Sequence, residues 1–295
     1  MTDLQVTWLP DARPRDRHLA VGEFDGVHIG HREVIRGADS VLTFEPHPRT
    51  VVAPDSAPKL LTPLAVKADL IAELDVRELV VIPFDGSFAQ QSAQAFIDRE
   101  LVERLGARTV SVGENFRFGH RAQGDAALLR SQRDFTTQVA ELVELDGEIV
   151  SSTHVRGLVQ AGEVDVARRF LGAPFQMRGT VVHGDKRGRT LGFPTANLVP
   201  DSALTVPGHG VYACRAQIGG EHRPAAVNVG VRPTFQTGRG LLVEAYLLNF
   251  EGDLYGRELR LDFLERLRGE RRFDTVEALV EQMHRDVGDA RRLAA

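Results

Sequence analysis

Between Leu19 and His31 an apolar run (Leu19-Ala-Val) breaks into a glycine-punctuated turn, Gly22-Glu-Phe-Asp-Gly-Val-His-Ile-Gly-His31, and enters a helix-like segment, Arg32-Glu-Val-Ile-Arg-Gly. Strand, turn and helix in this order place a ligand beyond the carboxyl end of the strand, against free helix-start N–H groups. Gly22 and Gly26 carry no Cβ, so the backbone there can approach a ligand closely. His28 and His31 fall on one face of the first helical turn. Taken alone, such a pair is also compatible with surface or capping histidines. A zinc pair is disfavoured, because the His-Glu-x-x-His spacing and its glutamate are both missing. Imidazoles beside clustered N–H donors suit polyphosphate charge better than a metal.

What surrounds this turn is a two-part chain. The 295 residues are enough for two domains, and 42% apolar with 26% charged residues is the balance of a globular protein. Up to about residue 172, β-rich runs (Val41–Phe44, Leu79–Phe84, Thr109–Gly113) alternate with helical periodicity (Leu64–Leu74, Ala93–Leu105). Pro63 and Ser92 are plausible helix starts. That alternation predicts a doubly wound α/β domain. The segment between His31 and Val41 is brief for a crossover, which ordinarily needs about a dozen residues. After Gly172-Ala-Pro174, short strands separated by Gly and Pro take over: Met177–His183, Gly210–Ile218, Ala225–Val231, Leu241–Phe250 and Glu258–Phe263. They predict a small antiparallel barrel or sandwich. A closing helix spans Thr275 to about Leu293, with Asp274 as its expected cap. The boundary is therefore expected between domains 1–174 and 175–295.

Charge and cysteine usage narrow the partners. A net charge of −5 argues against a general nucleic-acid binder. No apolar run reaches the roughly 18 residues of a membrane span, and Met1-Thr-Asp-Leu-Gln lacks a signal-peptide pattern. The one cysteine, Cys214, sits in a strand-like run and fits a buried thiol in a reducing cytoplasm. The expectation is a soluble, cytoplasmic protein with no nucleic-acid or membrane partner.

Five further stretches can carry chemistry. Phe44-Glu-Pro-His-Pro48 is stiffened by Pro46 and Pro48. Gly113-Glu-Asn-Phe-Arg-Phe-Gly119 offers the Asn115 amide, two aromatics and a cation, suited to a planar heterocycle or to closing a sheet end. In Val150-Ser-Ser-Thr-His-Val-Arg156, Ser152 and Thr153 stand at a helix start with Arg156 one turn on, an anion cradle or an ordinary cap. His183-Gly-Asp-Lys-Arg-Gly-Arg-Thr-Leu-Gly-Phe-Pro-Thr-Ala-Asn197 lacks the Walker pattern. Its glycines, with Lys186, Arg187 and Arg189, could wrap phosphates, while Thr195 and Asn197 supply hard oxygens suited to Mg²⁺. Last, Glu244 interrupts the apolar strand Leu241-Leu-Val-Glu-Ala-Tyr-Leu-Leu248, on one face with Leu242 and Tyr246. A carboxylate on an inward face must be paired or functional, and accepting a hydroxyl proton during phosphoryl transfer is such a function.

His-Ile-Gly-His is similar to the phosphate-handling signature of nucleotidylyltransferases and class I aminoacyl-tRNA synthetases, and the Ser-Ser-Thr-His-Val-Arg stretch resembles its partner across the ATP cleft. The lysine-rich loop of the synthetases is missing. With Thr-Phe-Glu-Pro-His-Pro, Gly-Glu-Asn-Phe-Arg-Phe-Gly, Gly-Arg-Thr-Leu-Gly-Phe-Pro-Thr-Ala-Asn, Asn228-Val-Gly-Val-Arg-Pro-Thr-Phe235 and Val-Glu-Ala-Tyr following in order, the chain over about residues 18–292 resembles the bifunctional bacterial riboflavin kinase/FMN adenylyltransferase family. The resemblance implies a nucleotidylyltransferase-like α/β domain making FAD and pyrophosphate from FMN and ATP. It implies next a six-stranded antiparallel barrel, with a C-terminal helix, making FMN and ADP from riboflavin and ATP. Carried over by motif, His28 and His31 would stabilise the phosphates in adenylyl transfer, with Gly22, Phe24, Ser152, Thr153 and Arg156 at the nucleotide. Pro46, Pro48 and Asn115 would line the flavin side. In the barrel, Gly184, Lys186, Gly188 and Arg189 would bind nucleotide, Thr195 and Asn197 would hold Mg²⁺, and Glu244 would be the base.

Against this pattern the His31–Phe44 segment is roughly ten residues short, and Glu23 brings a negative charge where a neutral residue is expected. Both departures sit in the adenylyltransferase module. The competing readings are a kinase with an impaired first module, a nucleotidylyltransferase for another phosphorylated metabolite, and a non-catalytic flavin or nucleotide binder.

Overall fold

Six short segments of the first half pair side by side, all parallel: β1 (Gln5–Trp8), β2 (Arg17–Val21), β3 (Ser40–Glu45), β4 (Glu78–Pro83), β5 (Ala107–Gly113) and β6 (Thr136–Ala140). Their order across the sheet is β1-β4-β3-β2-β5-β6. This computed structural model describes residues 4–184, 188, 191–232 and 240–294. Packing divides the chain into two units, 1–152 and 153–295.

Alternation along each strand feeds two cores. Helices α1 (Ile29–Ile35) and α2 (Leu64–Ala72) pack on the face that carries Ala20, Val41, Leu79 and Val81. Helix α3, Ala93–Ala95 continuing as a π-helical stretch Phe96–Arg104, covers Leu19, Val21, Leu42, Val80, Val110 and Val112 on the other. The doubly wound expectation therefore holds. The helix starts hold too: Pro63 precedes α2, and Ser92 accepts from Ala95 N–H at 3.1 Å. Strands β1 and β6 were not expected; as edge strands with few buried residues, they carry no apolar run.

Brevity of α1 is accommodated by neighbourhood. β3 lies directly beside β2, with Leu19, Ala20 and Val21 opposite Ser40, Val41 and Leu42, so the crossover need not reach far. From β2 the chain goes to β3 on one side and later to β5 on the other. The crevice at the carboxyl ends of β2 and β5 is thus the switch point where open α/β sheets bind ligands.

The opposite sheet end is held by ions. Arg17, almost fully buried, donates from Nε to Glu78 Oε2 (3.0 Å) and from Nη2 to Oε1 (3.3 Å), and also caps the carbonyls of Arg13 and Leu105. Burial pushes the Glu78 carboxyl up, but hydrogen bonds from Arg17 and Arg15 outweigh it and hold the carboxyl below its usual range.

In the second half, α4 (Ser152–Ala161) and α5 (Val164–Leu171) lead into strands β7 (Phe175–Val182), β8 (Ala196–Leu198), β9 (Gly210–Ile218), β10 (Glu221–Arg232), β11 (Gly240–Leu247) and β12 (Glu258–Arg268). They close in the order β7-β8-β11-β10-β9-β12, every pair antiparallel, which decides for a barrel over a sandwich. Val227, Val229, Val243, Ala245, Leu259 and Leu261 are among its fully buried side chains. Cys214 is buried and free, its thiol pushed well up by burial and by the nearby Asp262 carboxylate, as a structural cysteine should be. Helix α6 (Val276–Ala294) packs on β9, β10 and β12, fixed by the Arg268–Asp286 pair at 2.7 Å. Its cap is Thr275, whose Oγ1 accepts from Ala278 N–H at 3.2 Å, and not the expected Asp274: a side chain must stand immediately before the first helical residue to reach that N–H.

Breaking the buried pair by Arg17→Met should cost the first unit about 3 kcal/mol, because a carboxylate is left in the core. Urea unfolding should show the loss in the transition of residues 1–152, and Arg17→Met/Glu78→Gln should lose less than the two single changes added.

Candidate functional site

The turn after β2 is built around Asp25. Its buried carboxylate accepts from Leu61 N–H (2.9 Å), Thr62 N–H (3.0 Å) and Thr62 Oγ1 (3.3 Å). Its carbonyl accepts from Ser152 Oγ at 2.9 Å, which brings the last segment of the first unit onto the first turn. Phe24 and Val27 are held at φ +50° and +43°. Such left-handed backbone in non-glycine residues is costly and persists only where the surroundings over-determine it. A Cβ on Gly22 would sit 2.9 Å from the Phe24 ring, so the glycine is what lets Phe24 fold under the turn. Phe24 is buried and meets His31 edge-on, with ring centroids 5.3 Å apart; its part in the site is to seat that ring.

His28 caps α1: its Nδ1 accepts from His31 N–H at 3.2 Å. The two imidazoles stack, centroids 3.5 Å apart at 15°. Burial pushes His28 down from 6.5 to about 4. Burial first, then the neighbouring His28 and Lys67 charges, push His31 well below its ordinary value. Both rings are therefore neutral at pH 7. Because His28 Nδ1 is an acceptor, the proton of the neutral ring stands on Nε2, free to donate to an anion. His31 Nδ1 is buried without a hydrogen-bond partner among the described residues, as expected where a ligand completes the site.

Around this pair lie the other expected positions. Pro46 is exposed, and Pro48 opens a one-turn helix, Pro48–Val52, capped by His47. Asn115 is exposed just past β5, its Oδ1 3.4 Å from where a Gly113 Cβ would stand; that same point is 3.9 Å from Val34 of α1. The sheet thus brings Asn115 and the histidine helix to one edge. Of the two aromatics in that motif, Phe118 turns into the core while Phe116 stacks on it at 5.5 Å. Thr153 and Arg156 lie on α4 in the second unit.

Three features escape the motif reading. His47 donates from Nε2 to Glu23 at 2.8 Å, so the unexpected carboxylate is tied to the Pro-His-Pro loop. Phe84 and Phe88 extend a chain of aromatic contacts from Phe44 to Phe96. Lys67 is buried at 6% exposure beneath the turn. Its signal was in the sequence: Leu64, Lys67, Ala68 and Ile71 form a helical stripe in which a lysine stands among apolar residues.

In the barrel, Glu244 lies opposite Asn197 of β8 on one side and Asn228 of β10 on the other. It stands on the outer, half-buried face with Leu242 and Tyr246, not on the inward face, which belongs to Val243, Ala245 and Leu247. The alternation was read correctly, and only the direction of the barrel interior needed the closed sheet. Among the described residues Glu244 forms neither a hydrogen bond nor an ion pair. Tyr246 meets Phe193, which meets His284 of α6, at 5.3 and 5.0 Å. Asn197 is buried, its Nδ2 donating to Thr195 O at 3.3 Å. A Cβ on Gly184 would fall on the Asn197 carboxamide, so glycine there lets the backbone lie against it, and one on Gly188 would collide with the Phe193 carbonyl. Lys186 and Arg189 lie outside the described residues.

Residues 11–154 match the family model described as FAD synthetase, and 171–294 the one described as riboflavin kinase. The chain is 40% identical to the bifunctional riboflavin kinase/FMN adenylyltransferase of Pseudomonas fluorescens over 98% of this chain and 97% of the relative. The proteins of the same description from Bacillus subtilis (37%; 93% and 91% covered) and Escherichia coli (38%; 92% and 91%) are similar over nearly the same span. Among solved structures, a Streptococcus pneumoniae chain described as a macrolide-efflux protein is 30% identical with a TM-score of 0.87, covering 97% of this chain and 98% of that one. No helix among the described residues here is long and apolar enough to cross a membrane.

The neutral histidines carry a stability signature. Between pH 6.5 and about 4 the unfolded chain takes up a proton that folded His28 refuses, so stability falls as pH drops, at about 1.4 kcal/mol per unit. His28→Asn keeps a capping oxygen and should flatten that slope in denaturant titrations of the first unit; equal slopes would show that His28 is not buried neutral.

Proposed function

The chain belongs to the bifunctional riboflavin kinase/FMN adenylyltransferase family, and from that premise we propose which of its groups carry each half-reaction. It phosphorylates riboflavin with ATP to give FMN, and adenylylates FMN to FAD with release of pyrophosphate. We assign the adenylyltransferase to 1–174 and the kinase to 175–295, dividing them after α5, where Gly172 takes the left-handed C-cap and β7 begins at Phe175. Riboflavin, FMN and ATP are its small-molecule partners. The acidic balance of the chain and its single buried thiol support work in a reducing cytoplasm without nucleic acid.

In adenylyl transfer an FMN phosphate oxygen bonds to the α-phosphorus of ATP as the bond to the β-phosphate oxygen breaks. His28 and His31 donate from neutral rings to the phosphate oxygens on which charge collects. Gly22 and Ser152 hold the turn close and Phe24 seats His31; Thr153 and Arg156 are assigned to the nucleotide by motif alone. Pro46, Pro48 and Asn115 line the flavin side. In the kinase reaction Glu244 accepts the proton of the ribityl hydroxyl as its oxygen attacks the γ-phosphorus and ADP leaves. By motif, Gly184, Lys186, Gly188 and Arg189 would bind the triphosphate.

The hard oxygens of Thr195 and Asn197, with the Gly184 backbone lying against Asn197, fit Mg²⁺. Among the described residues no cluster of three acid, histidine or cysteine side chains could hold a metal. Thr195 and Asn197 would share the ion with the phosphates, where it would neutralise charge. Two observations support this reading: the stacked, neutral imidazoles in the first unit, and Glu244 between Asn197 and Asn228 in the second.

Incubating the full chain with riboflavin, ATP and Mg²⁺ and separating flavins by chromatography should yield FMN and FAD. Glu244→Gln should lower riboflavin phosphorylation by about 10²–10⁴-fold while FMN added directly is still adenylylated. Equal loss of both reactions would make Glu244 structural. His31→Ala should do the converse, costing about 10²–10³-fold in FAD formation; an unchanged rate removes it from the mechanism.

A further inference from the structure

We infer that Lys67 is a positioning cation of the adenylyl-transfer site: from beneath the Gly22–His28 turn it offsets the carboxylates around that turn so that a polyphosphate can rest beside two uncharged imidazoles. The inference rests on the assignment of His28 and His31 to the triphosphate. Lys67 Nζ donates to Glu23 O at 2.7 Å and to Thr43 Oγ1 at 3.2 Å, and Thr43 Oγ1 donates to the same Glu23 carbonyl at 3.1 Å. This triangle ties α2 and β3 to the turn that carries the histidines. The carboxylates acting on the ammonium are Asp25, Glu45 and Glu23, and it also acts on His31.

A buried ammonium is expensive, and its two acceptors here are both uncharged oxygens. Meanwhile three carboxylates stand around a place meant for an anion, and the histidines bring dipoles but no charge. Glu23 sharpens the conflict, since its side chain is half-exposed on the same turn and, among the described residues, is bonded only to His47. Arg49 also acts on Glu23 but stands on the Pro48–Val52 turn. Without Lys67, the field at the turn would repel the substrate that the histidines are placed to receive.

Steady-state FMN adenylylation by the full-length protein tests this, with riboflavin phosphorylation on the same samples as the folding control. Lys67→Met should raise KM for ATP about tenfold or more, the loss of roughly one decade of affinity, with kcat within about threefold. Lys67→Met/Glu23→Gln should recover much of that KM, because one of the opposing carboxylates is gone; a merely structural lysine would not be rescued this way. Glu23→Gln alone keeps an acceptor for His47 and should lower KM for ATP about two- to threefold. That change is at a half-exposed side chain and remains informative if Lys67→Met does not fold. An unchanged KM in Glu23→Gln, or a Lys67→Met defect in kcat alone that Glu23→Gln leaves uncorrected, overturns the inference. His31→Ala in parallel separates the two ideas: if it impairs adenylylation and Lys67→Met does not, only the lysine proposal fails, and if it has no effect the site assignment beneath it fails.

Discussion

One buried carboxylate governs the first unit. Asp25 gathers two backbone N–H groups and a hydroxyl from Leu61 and Thr62, while its own carbonyl takes the Ser152 hydroxyl. Four hydrogen bonds onto one residue are what make a turn with two non-glycine residues in left-handed backbone affordable. Everything chemical in the unit is hung on that turn. Phe24 is folded under Gly22, His31 is seated against Phe24, and His28 caps the helix through His31. Burial then strips both rings of charge, turning two potential cations into directed donors. For a reaction that shifts negative charge among phosphate oxygens, fixed donors in a dry site act without having to reorganise.

In the barrel the corresponding constraint is register. Antiparallel pairing of β8, β11 and β10 sets Asn197, Glu244 and Asn228 side by side on three neighbouring strands. A slip of one residue on β11 would swing Glu244 into the apolar interior and put Val243 or Ala245 in its place. The interior is filled by Val243, Ala245 and Leu247, so the hydrophobic core itself pins the carboxylate to the outer, half-buried face. Core packing and the placement of Glu244 are the same fact viewed from opposite sides of one strand.

The two units handle the same cosubstrate with different materials. In the proposed sites the first would use neutral imidazoles on a left-handed turn, and the second Thr195, Asn197 and a carboxylate, Glu244, that is uncommitted among the described residues. The difference matches their bonds. Adenylyl transfer from a phosphate nucleophile needs no proton removed from an alcohol. Phosphorylating a hydroxyl does need a base, the part proposed for Glu244.

Much of this was written in the order of residues. Alternating strands and helices before residue 172, Gly-rich strand spacing after it, the histidine pair, and the odd Glu244 in an apolar run are local patterns. Local patterns are set by periodicity and backbone permissiveness, which a sequence displays directly. What the chain by itself could not display were contacts between segments far apart in it. Glu23 looked like a misplaced charge until His47 was found bonded to it. Lys67, buried in a helix, is tied to that turn through Glu23 O, a contact no local pattern announces. Edge strands β1 and β6 carry too little buried apolar surface to announce themselves, and the cap of α6 moved by one residue, from Asp274 to Thr275. Chemistry of side chains, faces of strands and the two-part architecture are thus fixed by composition and spacing. Protonation states, the partner of each buried charge and the outward direction of Glu244 belong to the tertiary structure, because burial and proximity exist only once the chain has closed on itself.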